Sequence, residues 1–121
     1  MNYNFADIRL ESVPMGRDLL IMITGGEAHI GAASTAYPAA GGAEVQTSAV
    51  PGHKEHVLTE SLAKRAAAEL SRTVTLVMGI HYDGLTREEI GRITQRTEEL
   101  MDEFISSARH HKEGGINPCQ H

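Results

Sequence analysis

Between positions 53 and 72 the chain changes its period. Leu58, Leu62, Ala66 and Leu70 recur every four residues, and Ala63 and Ala67 widen the stripe. That spacing predicts an amphipathic helix with one face on a core. The residues before it never hold the spacing. They form short apolar or alternating runs cut by glycine and proline, the pattern of strands and turns. Phe5, Ile8, Leu10 and Val13 lie in a roughly alternating stretch that Pro14 and Gly16 punctuate. Leu19 to Ile23 is continuously apolar and stops at Gly25-Gly26, while Ala28 to Ala36 follows and is bounded by Pro38. These two segments read as a hairpin. Ala43 to Val50 alternates again, with Val45, Thr47 and Ala49 on one side, and ends at Pro51-Gly52.

Beyond the helix, Thr73 to Ile80 is apolar and β-branched throughout, which predicts a central strand covered on both faces. Thr86-Arg87-Glu88-Glu89 is a capping box, in which the Thr hydroxyl and the Glu carboxylate each take a helix-start amide. Ile90, Ile93, Thr97, Leu100, Met101, Phe104 and Ile105 then give a second helix its apolar face. From Arg109 the period is lost among His110, His111, Gly114, Gly115 and Pro118. We expect a domain over 1–108 and a frayed tail over 109–121. The order strand-strand-strand-strand-helix-strand-helix reads as one α+β domain, with a mostly antiparallel sheet partly covered by helices. A length of 121 residues suits one such unit.

Charge narrows the partners. With 11 Lys and Arg against 16 Asp and Glu, and a formal net charge of -5, the chain lacks the cationic surplus that phosphate neutralisation requires, so nucleic acid is not an expected partner. With no Trp and only five aromatic residues (three Tyr, two Phe), it also offers bases little to stack on. The longest apolar run is too short to span a bilayer. Cys119 is the single cysteine and has no internal disulfide partner, and no charged-then-apolar leader opens the sequence. The expected compartment is the cytoplasm.

Three histidines, His29, His53 and His81, each sit where an apolar run meets a glycine turn. Such strand ends let side chains converge at the rim of a sheet. In Thr24-Gly25-Gly26-Glu27-Ala28-His29, the paired glycines permit positive φ and close approach to a ligand, although they equally suit an ordinary turn. In Pro51-Gly52-His53-Lys54-Glu55-His56, free amides and the positive end of a helix would face an anion such as phosphate, with His53 and Lys54 to supplement them. The plain alternative there is a solvated first turn. Arg17 is the candidate second phosphate contact, because a guanidinium can bind in bidentate fashion. In Gly79-Ile80-His81-Tyr82-Asp83, His81 ends the central strand and Asp83 could orient an imidazole; the plain alternative is a half-buried histidine bonded to a loop carbonyl. If they meet, His29, His53 and His81 could hold a divalent metal with open coordination positions. Dinucleotide, Walker, nucleophile-elbow and zincin motifs are absent. Glu98, Glu99, Asp102 and Glu103 read as a solvated helix face.

The segments GRDLLIMITGGEAHIGA, SAVPGHKEHVL and VMGIHYDGLTREEI, in that order, together resemble the LpdD-like proteins. These are prenylated-flavin chaperones associated with UbiD-type decarboxylases and are similar in fold to proteasome-assembly chaperones. The resemblance implies a non-catalytic helper that binds prenylated FMN, or FMN, and assists its delivery to or maturation in a partner decarboxylase. It also implies a small domain that pairs as a homodimer. Its implied ligand site uses Gly25, Gly26 and His29, then Gly52, His53 and Lys54, then His81, with a histidine-held metal able to bridge to the flavin phosphate. Among the few aromatics, Tyr82 is the best placed to meet a flavin ring. Two other classes stay open. One is a cofactor-free assembly subunit that docks through the second helix. The other is a small metal-dependent enzyme with Asp83 or Glu27 as base.

Overall fold

The computed structural model describes residues 3–52 and 55–113. Among these the chain forms strands β1 (Arg9–Met15), β2 (Asp18–Gly26), β3 (Ala32–Ala39) and β4 (Gly42–Ala49), helix α1 (His56–Leu70), strand β5 (Val74–His81) and helix α2 (Arg87–Glu113). The element order is the one predicted. The five strands make a single sheet in the order β1-β2-β5-β3-β4. Only the β2–β5 pair is parallel, and the sheet is otherwise antiparallel.

This order corrects one expectation. β2 and β3 do not form a hairpin: β5 lies between them, pairing parallel with β2 and antiparallel with β3. With β1 already on the other edge of β2, a β2–β3 hairpin would leave β5 no place between them, whereas inserting this most β-branched run there gives β5 a ladder on each side. The segment joining β2 to β3 must therefore cross over the end of β5. It is tied there by Glu27 N–H to His81 O and Gly31 N–H to Met78 O, both at 2.9 Å.

The sheet buries one face. Leu19, Ile21 and Ile23 alternate with half-buried Leu20 and Met22 along β2, and Val74, Leu76 and Met78 alternate with half-buried Thr75 and Val77 along β5. β5 is thus central, as predicted, but covered on one face rather than two. α1 packs on the buried side through Thr59, Leu62, Ala63, Ala66, Ala67 and Leu70, and ends where Ser71 adopts a left-handed conformation, its N–H bonded to Ala67 O. The buried Ser34 hydroxyl is satisfied within this layer: it bonds to those of Thr47 (2.7 Å) and Thr59 (3.0 Å).

The capping box forms as predicted. Thr86 N–H donates to Glu89 Oε1 at 2.9 Å, and Glu89 N–H donates to Thr86 Oγ at 3.1 Å. Ile93, Thr97, Met101 and Ile105 are buried, whereas Ile90, placed by periodicity on the same face, is 53% exposed. α2 continues to Glu113, past the predicted break at Arg109; the Arg109 guanidinium reaches Glu69 Oε1 at 3.2 Å, which extends the contact with α1. The rest of the expected tail, 114–121, lies outside the described residues. At the other end, β1 starts later than predicted and runs through Pro14, which an edge strand tolerates. Phe5 and Ile8 precede the strand and are buried in the core.

Candidate functional site

The C-terminal ends of β2 and β5 lie side by side, with Gly26 paired to His81. Both motifs that carry these residues need glycine for closeness. A Cβ on Gly26, whose φ is +64°, would stand 2.1 Å from His81 O, and one on Gly79 would stand 1.5 Å from His29 O. The crossing segment is therefore pressed onto the end of β5, and this places His29 beside His81, ring centroids 6.3 Å apart.

A carboxylate that sequence reasoning left unselected holds this arrangement. Glu55 occupies the N-cap position of α1 but makes no side-chain cap bond. Its Oε2 instead accepts Ile80 N–H at 3.2 Å and lies 3.3 Å from His29 Nε2. His29 Nδ1 lies 3.2 Å from Glu27 O, a carbonyl that can only accept. His81 Nε2 sits 3.0 Å from Asp83 Oδ1, the orienting contact foreseen for Asp83. The only sequence signal for Glu55 is its position inside the His53-Lys54-Glu55-His56 run.

On the other side of the same edge, Asp7 joins the two glycine motifs. Its Oδ2 accepts Gly26 N–H at 2.7 Å and its Oδ1 accepts the Tyr82 hydroxyl at 2.5 Å. The Tyr82 hydroxyl and then the Gly26 amide hold the Asp7 carboxyl below its usual range. Burial first, and the bond to Asp7 second, raise the Tyr82 phenol. The Tyr82 ring packs on Tyr3 (4.8 Å between centroids) and edge-on to Phe5 (5.0 Å). Tyr82 therefore serves an aromatic cluster that seats the N-terminal segment, and no sequence motif announced Asp7.

A cleft of about 660 Å³ opens beside this edge, between the starts of α1 and α2, within the roughly 300–1,000 Å³ typical of small-molecule and cofactor sites. Its apolar wall includes Leu58, Met78, Ile80, Leu85 and Ile93, with exposed Val57 and Ile90 also lining it. Its charged described residues are Glu55 and Glu98. Of the predicted cofactor residues, Gly52 and His81 line it directly, and His29 reaches it through Glu55. Gly25, Gly26 and Tyr82 share the edge but are engaged with the N-terminal segment. Arg17 is not brought in: it lies in the β1–β2 turn, at the far end of the nine-residue β2, roughly 25 Å away at about 3.3 Å per residue. His53 and Lys54 lie outside the described residues.

Among the described residues, no three His, Cys, Asp or Glu side chains are grouped to hold a metal ion. His29 and His81 each turn a ring nitrogen toward a different carboxylate, Glu55 and Asp83, rather than toward a shared point. The described donors do not fit a shared metal, and the third expected ligand, His53, is outside them.

A family model for the prenylated flavin chaperone LpdD-like domain matches residues 3–109. The chain is 32% identical over 100 residues to Protein LpdD of Lactiplantibacillus plantarum (strain ATCC BAA-793 / NCIMB 8826 / WCFS1), a match that covers 80% of this chain and 74% of the relative. No helix among the described residues is long and apolar enough to cross a membrane.

Proposed function

This chain belongs to the LpdD-like prenylated flavin chaperone family, and from that premise we propose that it binds prenylated FMN in the cleft between α1 and α2 and assists its transfer to, or maturation in, a UbiD-type decarboxylase. The observation that carries the reading is the cleft itself: it is apolar, of cofactor size, and bounded by segments of two of the three glycine-histidine motifs. An apolar wall favours a planar ring removed from water. His81, Gly52 and the Glu55–His29 pair supply the polar edge, and His53 and Lys54 complete the ligand set from the same motif as Gly52 and Glu55. The chain's role in this reading is to bind and release the cofactor rather than to turn over a substrate. A homodimer in the cytoplasm is the proposed working form.

Native mass spectrometry of the protein, purified without oxygen from cells that also make the flavin prenyltransferase, tests the proposal. A mass increment matching prenylated FMN is expected. Ser61→Trp, which fills the cleft from an exposed helix position, should abolish it. An apo mass in the presence of abundant free cofactor would leave a cofactor-free assembly subunit as the better account, a role for which exposed Val57 (67%) and Ile90 (53%) offer apolar contact surface.

A further inference from the structure

We propose that two copies of this chain pair through the open face of the sheet, about a two-fold axis that runs along β5. This deepens the homodimer of the reading just proposed and in that respect rests on it, while needing nothing of the cofactor. Both helices pack on one side of the sheet, in a core that takes Leu10, Ile21, Leu76, Ala36 and Val45 from the five strands in spatial order. The residues between these point to the other side, which no described element covers. The ladders align them in rows: Glu11, Met22, Val77, Ala33 and Ser48 in one, and Val13, Leu20, Thr75, Thr35 and Gln46 in the next. A sheet face left to water alternates to polar residues at such positions. Here the centre holds Leu20, Met22, Val77 and Ala33, all half-buried. The hydroxyls of Thr35 and Thr75 bond each other at 2.7 Å, which lowers the cost of removing them from water. Val13 (43% exposed), Met15 (66%) and Tyr37 (42%) carry the apolar surface toward both edges. Charge on this face is confined to Arg9, Glu11 and Glu44 on the edge strands and to Asp18, whose carboxylate accepts Thr73 N–H at 3.3 Å. An apolar centre inside a polar rim is the anatomy of a protein interface.

Extent and charge select a second copy as the occupant. Strands spaced about 4.8 Å apart, with about 3.3 Å per residue, give the five-stranded face roughly 600 Å². Two such faces laid together bury about 1,200 Å², enough for a specific, stable pair. Packed sheets keep their strands within about 30° of each other. β5 is the middle strand, so a two-fold along it lays β5 on β5, β2 on β3 and β1 on β4. Met15 and Glu44 stand at opposite ends of one row, one residue beyond the alignment of Leu19, Val74 and Ala36, and exposed Arg17 follows Met15 in the β1–β2 turn. The two-fold exchanges the ends of that row, so each Glu44 meets the turn that carries the partner's Arg17, and the contact is made twice. Turning one copy end for end would instead set Arg17 against the partner's Arg9, a pair of like charges. The helices and the cleft between them face outward in both copies, so pairing leaves each cleft open.

Sedimentation velocity of the full chain at micromolar concentration tests the pairing. The wild type should sediment with twice the 13.1 kDa mass of one chain. Val13→Lys and Thr35→Lys, both at exposed positions, should each weaken association by about tenfold or more, because each buries an unpaired ammonium. Their far-ultraviolet circular dichroism should match that of the wild type. Arg17→Glu and Glu44→Arg should each weaken the dimer, and the double variant should recover it. A monomeric wild type, or a dimer that neither Lys variant weakens, would overturn the proposal. A monomer that instead forms a complex with a UbiD-type decarboxylase, lost in Val13→Lys, would assign the face to that protein and overturn self-pairing. Lys variants that dissociate while the double charge variant fails to recover would overturn the axis along β5. Prenylated FMN binding, followed in parallel by native mass spectrometry, separates this proposal from the cofactor reading. A dimer that behaves as expected but takes up no cofactor would remove that reading and leave this surface standing, whereas cofactor uptake by a wild-type monomer would do the reverse.

Discussion

Glu55, the last residue before α1, holds the end of β5 and the β2–β3 crossing segment together by accepting Ile80 N–H at 3.2 Å and contacting His29 Nε2 at 3.3 Å. Its side chain spans three separate parts of the chain. Replacing it with Ala leaves a partly buried backbone N–H without this acceptor, which costs about 1–3 kcal/mol. Urea unfolding should show that loss for Glu55→Ala and a smaller one for Glu55→Gln, whose amide oxygen can still accept.

Gly79 is irreplaceable for a different reason. A Cβ there would fall 1.5 Å from His29 O, so the crossing segment would have to lift from β5. Gly79→Ala should destabilise by more than about 3 kcal/mol, in the range of overpacked or displaced backbone. Gly91 on α2 is the control: a Cβ there meets nothing within 4 Å, and Gly91→Ala should stabilise by roughly 0.5–1 kcal/mol through helix propensity. Thermal or urea unfolding that moved both variants in the same direction would contradict the geometry.

The Asp7–Tyr82 bond sets a pH window. The folded-state pKa of Asp7 lies below its ordinary value, so its contribution is full above the unfolded pKa of about 3.9 and is lost as pH falls through the folded value. The phenol of Tyr82 is raised, so its contribution is full below about pH 10 and is lost as pH rises through the folded value. Between about pH 5 and 9 the bond should be constant. Asp7→Asn should therefore cost about 1 kcal/mol at pH 7 and progressively less toward pH 2, when stability is measured against the wild type at each pH.

His81 and Arg17 were both predicted to touch the cofactor, and the fold separates them. His81 is exposed in the cleft wall, whereas Arg17 lies at the opposite end of β2. His81→Ala should leave stability within about 0.5 kcal/mol yet weaken retention of prenylated FMN. Arg17→Ala should leave both unchanged. Equilibrium dialysis under anaerobic conditions distinguishes the two, and a loss of retention in Arg17→Ala alone would displace the site from the cleft.

The sequence by itself determined the local elements and their order. Periods of two and four residues, the Thr86–Glu89 capping box and the glycine-bounded strand ends depend on neighbours within a turn or a pleat, and they give the elements in their order, although β1 begins only at Arg9 and β3 runs from Ala32 through Pro38 to Ala39 rather than from Ala28 to Ala36. Only the tertiary structure decided the partners. β2 and β3 are consecutive and their connection is short, which favours a hairpin; yet β5, some fifty residues further on, separates them because its apolar run gains a ladder on both sides. The site follows from that insertion. His29 meets His81, and Asp7 bonds an amide 19 residues away and a phenol 75 residues away, across distances at which no periodicity operates. Ile90 shows the same limit: its spacing assigns it to the buried face of α2, but it is 53% exposed and faces an open space together with Val57 and Leu58 of α1 and Ile80 of β5. The space left there is the cleft.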